Sequence, residues 1–416
     1  MDWLRHYNRW FSINEIASSV ALKWVFGSLC LSHLVTFLNW FSLSTLTVSM
    51  YQAGNHTCQP YFQDCGRWFF LQTPPDGYSQ SVLYAVLFAF ILFAVHAAAK
   101  QRWTLAHALF MPAFLWHSIV ILLLSEELSL NFQYYVLIFS VIFLFLPHKE
   151  YFLKFSLVLL YFLSTTVKIH ESWVLGTYFS SLKLGLPLFP KWSIPFWTNL
   201  VILMEMVAAW WLLSRPGWKQ QTVFVFFVCF HLYSIMLVGY RYPLFVLPIL
   251  YILFGVFYRY QNAPFDRKSL AGWVLMILLC CLQTISHLIP GDAKLTLEGN
   301  KYGQYMFEAN HQCVTEATIH YYGGATRDIR VESGRAFVRC NPYNIWFRFD
   351  QYCQGDAAIE RIAWTLDHSI NGGPFYRIVD VENACALSYK PFSRNEWIKT
   401  EKDQLQIMGR PVENWY

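Results

Sequence analysis

Charge is what this sequence has least of. Only 14% of its 416 residues are Asp, Glu, Lys or Arg, against about 25% in an ordinary soluble domain. That scarcity excludes a conventional water-soluble chain of this length. Several chemical signatures are missing too: there is no zinc-type CxxC pair, no phosphate-binding glycine loop and no GxSxG elbow. No basic stripe interleaved with aromatics occurs, so nucleic acid is not an expected partner, and no metal site is expected. Internal repeats and long disordered linkers are absent. The first apolar segment lacks a compact h-region and a small-residue cleavage site, which favours a signal anchor over a removed signal peptide.

What is present is apolar: 56% of residues are hydrophobic and 19% aromatic. Stretches able to cross about 30 Å of hydrocarbon recur over residues 23–290. The pattern predicts about nine spans: Lys23–Met50, Ser81–Ala99, Leu105–Leu124, Phe132–Pro147, Phe155–Trp173, Phe196–Ser214, Thr222–Val238, Pro243–Tyr258 and Leu270–Leu288. The fourth and eighth are short. Lys100, Arg102, Lys149, Lys154, Arg215, Lys219, Arg259, Arg267 and Lys268 fall on alternate connections, while the opposite ones hold Glu126 and Glu127. The positive-inside rule therefore sets residues 1–22 in the cytosol and residues 291–416 outside or in a lumen, the net charge of +5 being mainly this bias.

Cysteines agree with that orientation. Cys30, Cys229, Cys280 and Cys281 lie in apolar segments, whereas Cys58, Cys65, Cys313, Cys340, Cys353 and Cys385 all fall on the expected outer side. An even number in an oxidising compartment points to disulfides of unspecified pairing. Asn55-His56-Thr57 is a glycosylation sequon in the first outer loop. The host membrane is the endoplasmic reticulum in a eukaryote or the inner membrane in a bacterium.

The segment from Gly291 onward is polar and of a size to form its own α+β domain. VTEATIHYY and RDIRVES, separated by Gly323-Gly324, predict a hairpin. DAAIERIAWTLDHSI has apolar residues at helical spacing, and PFYRIVDVENACALSY returns to a strand pattern. The fold class is thus a polytopic α-helical membrane protein with a C-terminal extracytosolic α+β domain.

Polar residues inside apolar spans mark candidate chemistry, because a charge at the bilayer centre costs at least about 2.5–3.5 kcal/mol. Lys168 lies in FSLVLLYFLSTTVKIHESW. An ammonium in apolar surroundings gives up its proton readily, and the neutral amine is a base; a snorkelling anchor is the plainer alternative. Helical spacing puts Lys168 and Glu171 on one face, where they can pair. Glu205 sits mid-span in LVILMEMVAAWW, either as a proton relay or as a pin between helices. His231 lies in VFFVCFHLYSIML, and a lone membrane histidine is more often an interhelical hydrogen-bonder than a catalyst. His33, His96, His107 and His117 carry that structural reading more strongly. GTYFSSLKLGLPLFPKWSIPFW is too apolar for a loop and too broken for a span, so it reads as a re-entrant segment or an aromatic interface belt.

YFLSTTVKIHESWVLG resembles a segment of the vitamin K-dependent γ-glutamyl carboxylase family and its bacterial membrane homologues, on Tyr161-Phe162, Lys168, Trp173 and Gly176. Glu205 stands where the family has an acidic residue, and Phe230-His231 resembles its Phe-His pair. The tail is similar at Ile370-Asn371, Arg377-Ile378, Asp380, Phe392, Arg394 and Trp397, and Tyr302 and Met306 match the family's aromatic-Met segment. The chain departs from the family in lacking a long C-terminal propeptide-binding region.

The resemblance implies an enzyme in which Lys168, as a neutral amine, deprotonates vitamin K hydroquinone. Oxygen then converts the quinol to its epoxide through a strong base that removes a γ-proton from glutamate in a protein or peptide, and the carbanion captures carbon dioxide. His231 would stabilise oxyanion character and Glu205 would bias the charge of Lys168; Tyr161, Trp173, Tyr302 and Met306 would contact the quinone. The family also implies a loop-to-tail disulfide, here Cys353 with Cys58 or Cys65. An epoxidase without carboxylation, or a non-enzymatic accessory protein for peptide export or maturation, is the alternative.

Overall fold

The structure, a computed structural model, describes residues 2–42, 57–65, 78–124, 131–180, 182, 185–306, 309–333, 339–403 and 405–410. Asn55 of the sequon and the loop residues Glu126 and Glu127 lie outside these. The chain divides into two compact units, one of Met1–Phe162 with Met204–Leu278 and one of Leu163–Leu203 with Leu279–Tyr416.

Among the described residues, six helices are long and apolar enough to cross a membrane: Val20–Phe41, Ser81–Ala99, Trp103–Leu123, Lys191–Leu213, Trp218–Leu237 and Arg267–Ile285. The expected fourth and eighth spans are helices too, Asn131–Phe145 and Arg241–Val256, but shorter. At about 1.5 Å per residue, the 15 residues of Asn131–Phe145 fall short of the hydrocarbon thickness. The expected fifth span, Phe155–Trp173, is not one helix. Its helix is Lys149–Thr166, which opens on the charged residues Lys149 and Glu150 and stops before Lys168.

Both ends of that helix follow from local chemistry. At the start, the Glu15 carboxylate accepts the backbone N–H groups of His148 (3.0 Å) and Lys149 (2.9 Å), which serves two of the orphan donors of a helix N-terminus. Lys149 Nζ in turn donates to the Leu146 carbonyl (2.9 Å) just past the helix Asn131–Phe145, where a cation suits the negative helix end. At the finish, Thr165-Thr166-Val167 is a β-branched run of low helix propensity. The Thr166 hydroxyl bonds back to Leu163 O (2.7 Å), and the Lys168 amide closes a tight turn on Thr165 O (2.8 Å). Lys168 and Glu171 therefore do not share a helix face, contrary to the sequence spacing: Lys168 is buried, and Glu171 is exposed at the start of a separate short helix, Glu171–Val174.

In the second unit the tail forms an antiparallel five-stranded sheet in the order β2-β1-β3-β4-β5. The strands are β1 His311–Tyr321, β2 Thr326–Ser333, β3 Ile359–Ile370, β4 Phe375–Val381 and β5 Ile407–Gly409. The Gly323-Gly324 hairpin forms as expected, with Ile319 opposite Arg327 and His320 opposite Thr326. DAAIERIAWTLDHSI is not a helix. It supplies β3, where Ile362, Trp364 and Leu366 alternate into the core between β1 and β4. The period-two burial of large and β-branched side chains overrides an apolar spacing that also fits a helix. The tail's helix is Pro342–Gly355, with Asn341 capping the Tyr343 amide and proline at its first turn. Its Trp346 joins Trp397 and Tyr389 in an aromatic cluster, and Trp364 of β3 packs on Trp397 at 5.6 Å.

All six cysteines expected on the outer side are paired, as Cys58–Cys65, Cys313–Cys340 and Cys353–Cys385. The loop-to-tail bridge implied by the family resemblance is absent, because Cys353 bonds Cys385 inside the tail and Cys58 closes a loop with its near neighbour Cys65.

Glu298 gives the tail a pH signature. Its Oε1 accepts both the backbone and side-chain nitrogens of Asn395 (2.7 and 2.9 Å), while Oε2 is buried with no hydrogen-bond partner among the described residues. Burial pushes this carboxyl up to about 7, against the Asn395 bonds and the Arg394 charge. The folded state thus holds a proton that the unfolded chain releases above its ordinary carboxylate range. Stability contributed by the protonated form is complete below about pH 4.5 and is lost as pH rises toward 7. Glu298→Gln should remove this loss, so that thermal unfolding of the variant, followed by tryptophan fluorescence in detergent, shows a flatter profile over that range than the wild type.

Candidate functional site

The sequence-predicted residues fall into two groups, one in each unit. Lys168 and Trp173 belong to the second. Lys168 is 1% exposed, and its Nζ lies 5.2 Å from the centre of the Trp173 ring, a distance at which the π face attracts a cation. Trp173 is itself buried, stacked on Tyr178 (centroids 5.5 Å, 27°) and edge-on to Phe179 (5.5 Å). The amine therefore sits beside an aromatic wall, out of water.

The turn that carries Trp173 is held by polar side chains. His170 caps the helix Glu171–Val174 by accepting the Ser172 amide. Its Nδ1 also lies 3.1 Å from Ser172 Oγ, and its Nε2 lies 3.7 Å from Asp292. Asn371 Nδ2 donates to Ser172 Oγ (2.7 Å), while its Oδ1 accepts the Asn310 amide (2.9 Å) and its own amide donates to Asn310 O (2.9 Å). Asn310 Nδ2 then donates to the Tyr178 carbonyl (2.6 Å), beneath the ring that stacks on Trp173. Asn371 has a φ of 53°, in the left-handed region that asparagine enters more easily than most residues. Burial pushes the Asp292 carboxyl up, but His170 and Lys294 outweigh it and hold the group below the usual carboxylate range.

Gly176, at the end of this turn, has a φ of 74°, and a Cβ there would stand 2.8 Å from Ile194 Cγ2 and 3.1 Å from the Pro195 nitrogen. Both the conformation and the close approach require glycine.

Two further connections were not legible in the sequence. Gln283 Nε2 donates to Thr166 Oγ1 (3.1 Å), two residues before Lys168, while its Oε1 accepts the Gln304 amide (2.6 Å) in the segment that contains Tyr302 and Met306. Tyr302 is buried against Phe392 (centroids 4.3 Å), and its hydroxyl accepts the Phe392 amide (3.0 Å); Met306 is buried nearby in sequence. The second is a fully buried histidine pair. His368 Nδ1 lies 2.5 Å from Leu295 O, a pure acceptor, so Nδ1 carries the proton and Nε2 accepts from His311 Nδ1 at 3.0 Å. Burial pushes His368 down to about 4 despite the Leu295 bond, and burial with the neighbouring His368 and Arg339 pushes His311 well down, so both are neutral at physiological pH.

Most tail residues that carry the family resemblance have structural partners. Arg377 forms a two-point pair with Asp367 (2.8 and 3.1 Å), Arg394 meets Asp403 (2.6 Å), Asp380 meets Lys399 (3.4 Å), and Trp397 donates to Ser388 O (3.2 Å). Asn371 is the member of that set that reaches the Trp173 turn.

Tyr161, Glu205 and His231 belong to the first unit. All three are buried. Tyr161 Oη lies 2.7 Å from His231 Nε2, and the Tyr161 ring stacks on Phe227 at 4.3 Å and 6°. Tyr242 meets the His231 ring edge-on at 5.5 Å. Tyr161 is thus a hydrogen-bond partner of His231 as well as a ring. His107, read as structural, bonds Tyr7 Oη (2.7 Å) and Leu144 O (3.0 Å).

Among the described residues, no group of three or more His, Cys, Asp or Glu is arranged to hold a metal ion. Comparison with protein-family models, with curated proteins and with solved structures finds no match.

Gly176→Ala should lower stability by roughly 2 kcal/mol or more, the combined effect of positive φ and the clash at Ile194. Thermal unfolding in detergent measures it, and a melting temperature equal to that of the wild type would refute the glycine requirement.

Proposed function

We propose that this protein is a membrane enzyme of the vitamin K-dependent γ-glutamyl carboxylase type, and the observation that carries the reading is the buried Lys168 amine against the face of Trp173. An apolar, aromatic setting of this kind suits a flat quinol: Trp173, Tyr178 and Phe179 are buried aromatic rings, and the Lys168 amine beside Trp173 can take a hydroxyl proton. Bound vitamin K hydroquinone would supply, through its oxidation by oxygen to the epoxide, the basicity needed to remove a γ-proton of glutamate before carbon dioxide adds.

The chain's own residues would do the rest. Lys168 Nζ acts as general base toward a quinol hydroxyl, and the ammonium so formed rests on the π face of Trp173. Trp173, Tyr178 and Phe179 exclude water that would quench a strong base. His231 and Tyr161, hydrogen-bonded through Nε2 and Oη, are a buried polar pair of the first unit, and His231 is assigned the stabilisation of oxyanion character. Glu205, buried in the first unit, is assigned the role of a polar pin or proton relay. Tyr302 and Met306 complete the contacts to the quinone. The reading places the N-terminus in the cytosol and the disulfide-bonded tail in a lumen or periplasm, where cystines persist. In it, Asn131–Phe145, Arg241–Val256 and Lys149–Thr166 join the six longer helices to make nine crossings.

Membranes containing the protein, given reduced vitamin K, oxygen, labelled carbon dioxide and a glutamate peptide, should form epoxide and incorporate label. Lys168→Ala should reduce both by about 100-fold or more, the contribution of a general base. Wild-type epoxide without label would leave an epoxidase. Equal turnover by wild type and variant would remove Lys168 from the mechanism. Glu205→Gln and His231→Ala should lower turnover while leaving expression intact.

A further inference from the structure

The first unit contains a cavity of about 320 Å³ whose lining includes neither Lys168 nor His231. Its volume is at the lower end of the range of ligand-binding cavities, about 300–1,000 Å³. One wall is a face of the helix Val20–Ser42 on which apolar and polar residues alternate by turns: Leu31 and Val35 lie beside Ser32, Thr36 and Asn39. Thr36 donates to Gln133 Oε1 (3.3 Å), and both residues are buried although they line the cavity. Such polar groups do not suit a purely hydrocarbon occupant.

The electrostatics select the sign of the ligand. Arg241 lines the cavity with an exposed side chain, and none of the described lining residues is acidic. Arg241 is also the first residue of the 10-residue helix Arg241–Leu250, and Phe132 and Gln133 open the helix Asn131–Phe145. Two helix N-termini and a guanidinium thus border one space, an arrangement that favours an anion. Leu31, Val35 and Leu244 offer exposed or half-buried apolar surface beside it, as an acyl chain needs.

We infer that this cavity seats an anionic phospholipid, with its phosphate at Arg241 and an acyl chain along Leu31, Val35 and Leu244. The test is native mass spectrometry of the full chain, purified in mild detergent and exposed to phosphatidylglycerol or phosphatidylcholine. Wild type should retain phosphatidylglycerol preferentially. Arg241→Gln should lower that retention about fivefold, the effect of one basic contact to an anionic lipid, and Arg241→Lys should keep most of it. Val35→Trp, which fills the cavity without touching the charge, should also lower it. Equal retention of the two lipids, or retention unchanged in both the Arg241→Gln and Val35→Trp variants, would mean adventitious annular lipid only and would overturn the assignment. Displacement of the bound lipid by a reduced naphthoquinone at stoichiometric amounts would overturn it in favour of a quinone. Should the variants not fold, the wild type alone decides: a higher melting temperature in phosphatidylglycerol nanodiscs than in phosphatidylcholine supports the site, and no difference refutes it.

Discussion

The surroundings of Lys168 depend on where its helix stops. Had the helix Lys149–Thr166 run on to Trp173, the lysine would project from a continuous rod with Glu171 on the same side. Instead the backbone closes a turn from the Lys168 amide to Thr165 O, and the chain restarts at His170 as a separate short helix. That change of direction brings the Trp173 ring back over the amine it follows by five positions. The geometry is then locked from the tail side by Asn371 and Asn310, which fix Ser172 and the Tyr178 carbonyl. A broken helix with its own hydrogen-bonded frame can hold a desolvated amine in one place, whereas a helix end free to fray cannot.

The sequence disclosed most of this where composition or a single residue type sufficed. The six long apolar helices, the bonding of the six cysteines expected outside and the Gly323-Gly324 hairpin were legible. Local pattern failed where two periods coincide. In β3 the spacing Ile359, Ile362, Ala363 and Leu366 fits a helical face as well as a strand, and only pairing with β1 and β4 decides between them. Pro342–Gly355 carried an Asn-Pro start signal whose weight is small beside its mixed apolar content. Gln283 could not have been identified, because its role exists only when Thr166 and Gln304 are brought to the same place from distant parts of the chain. The cysteine pairing inferred from family resemblance failed for a related reason: likeness carries residues, but partners are set by distances in this fold.

Two chemical styles coexist in the second unit. Around Trp173 the polar groups include a charged carboxylate, Asp292, near a histidine. A few residues away, His311 and His368 are neutral and stacked at 5.1 Å, and their proton positions are fixed by one backbone carbonyl. The first arrangement responds to charge; the second supplies directional bonds without it. Burying neutral imidazoles avoids the desolvation penalty that a buried ion pair would carry at the same place.

The disulfides bear on the order of events during synthesis. Their sequence separations are 7, 27 and 32 residues. No bond waits for a cysteine on the far side of the helical region. The first ring can close while the ribosome is still making the apolar helices, and the two tail bonds can close within a single emerging stretch. Each bridge thus joins cysteines at most 32 residues apart in sequence, and none of the three ties residues 57–65 to the tail.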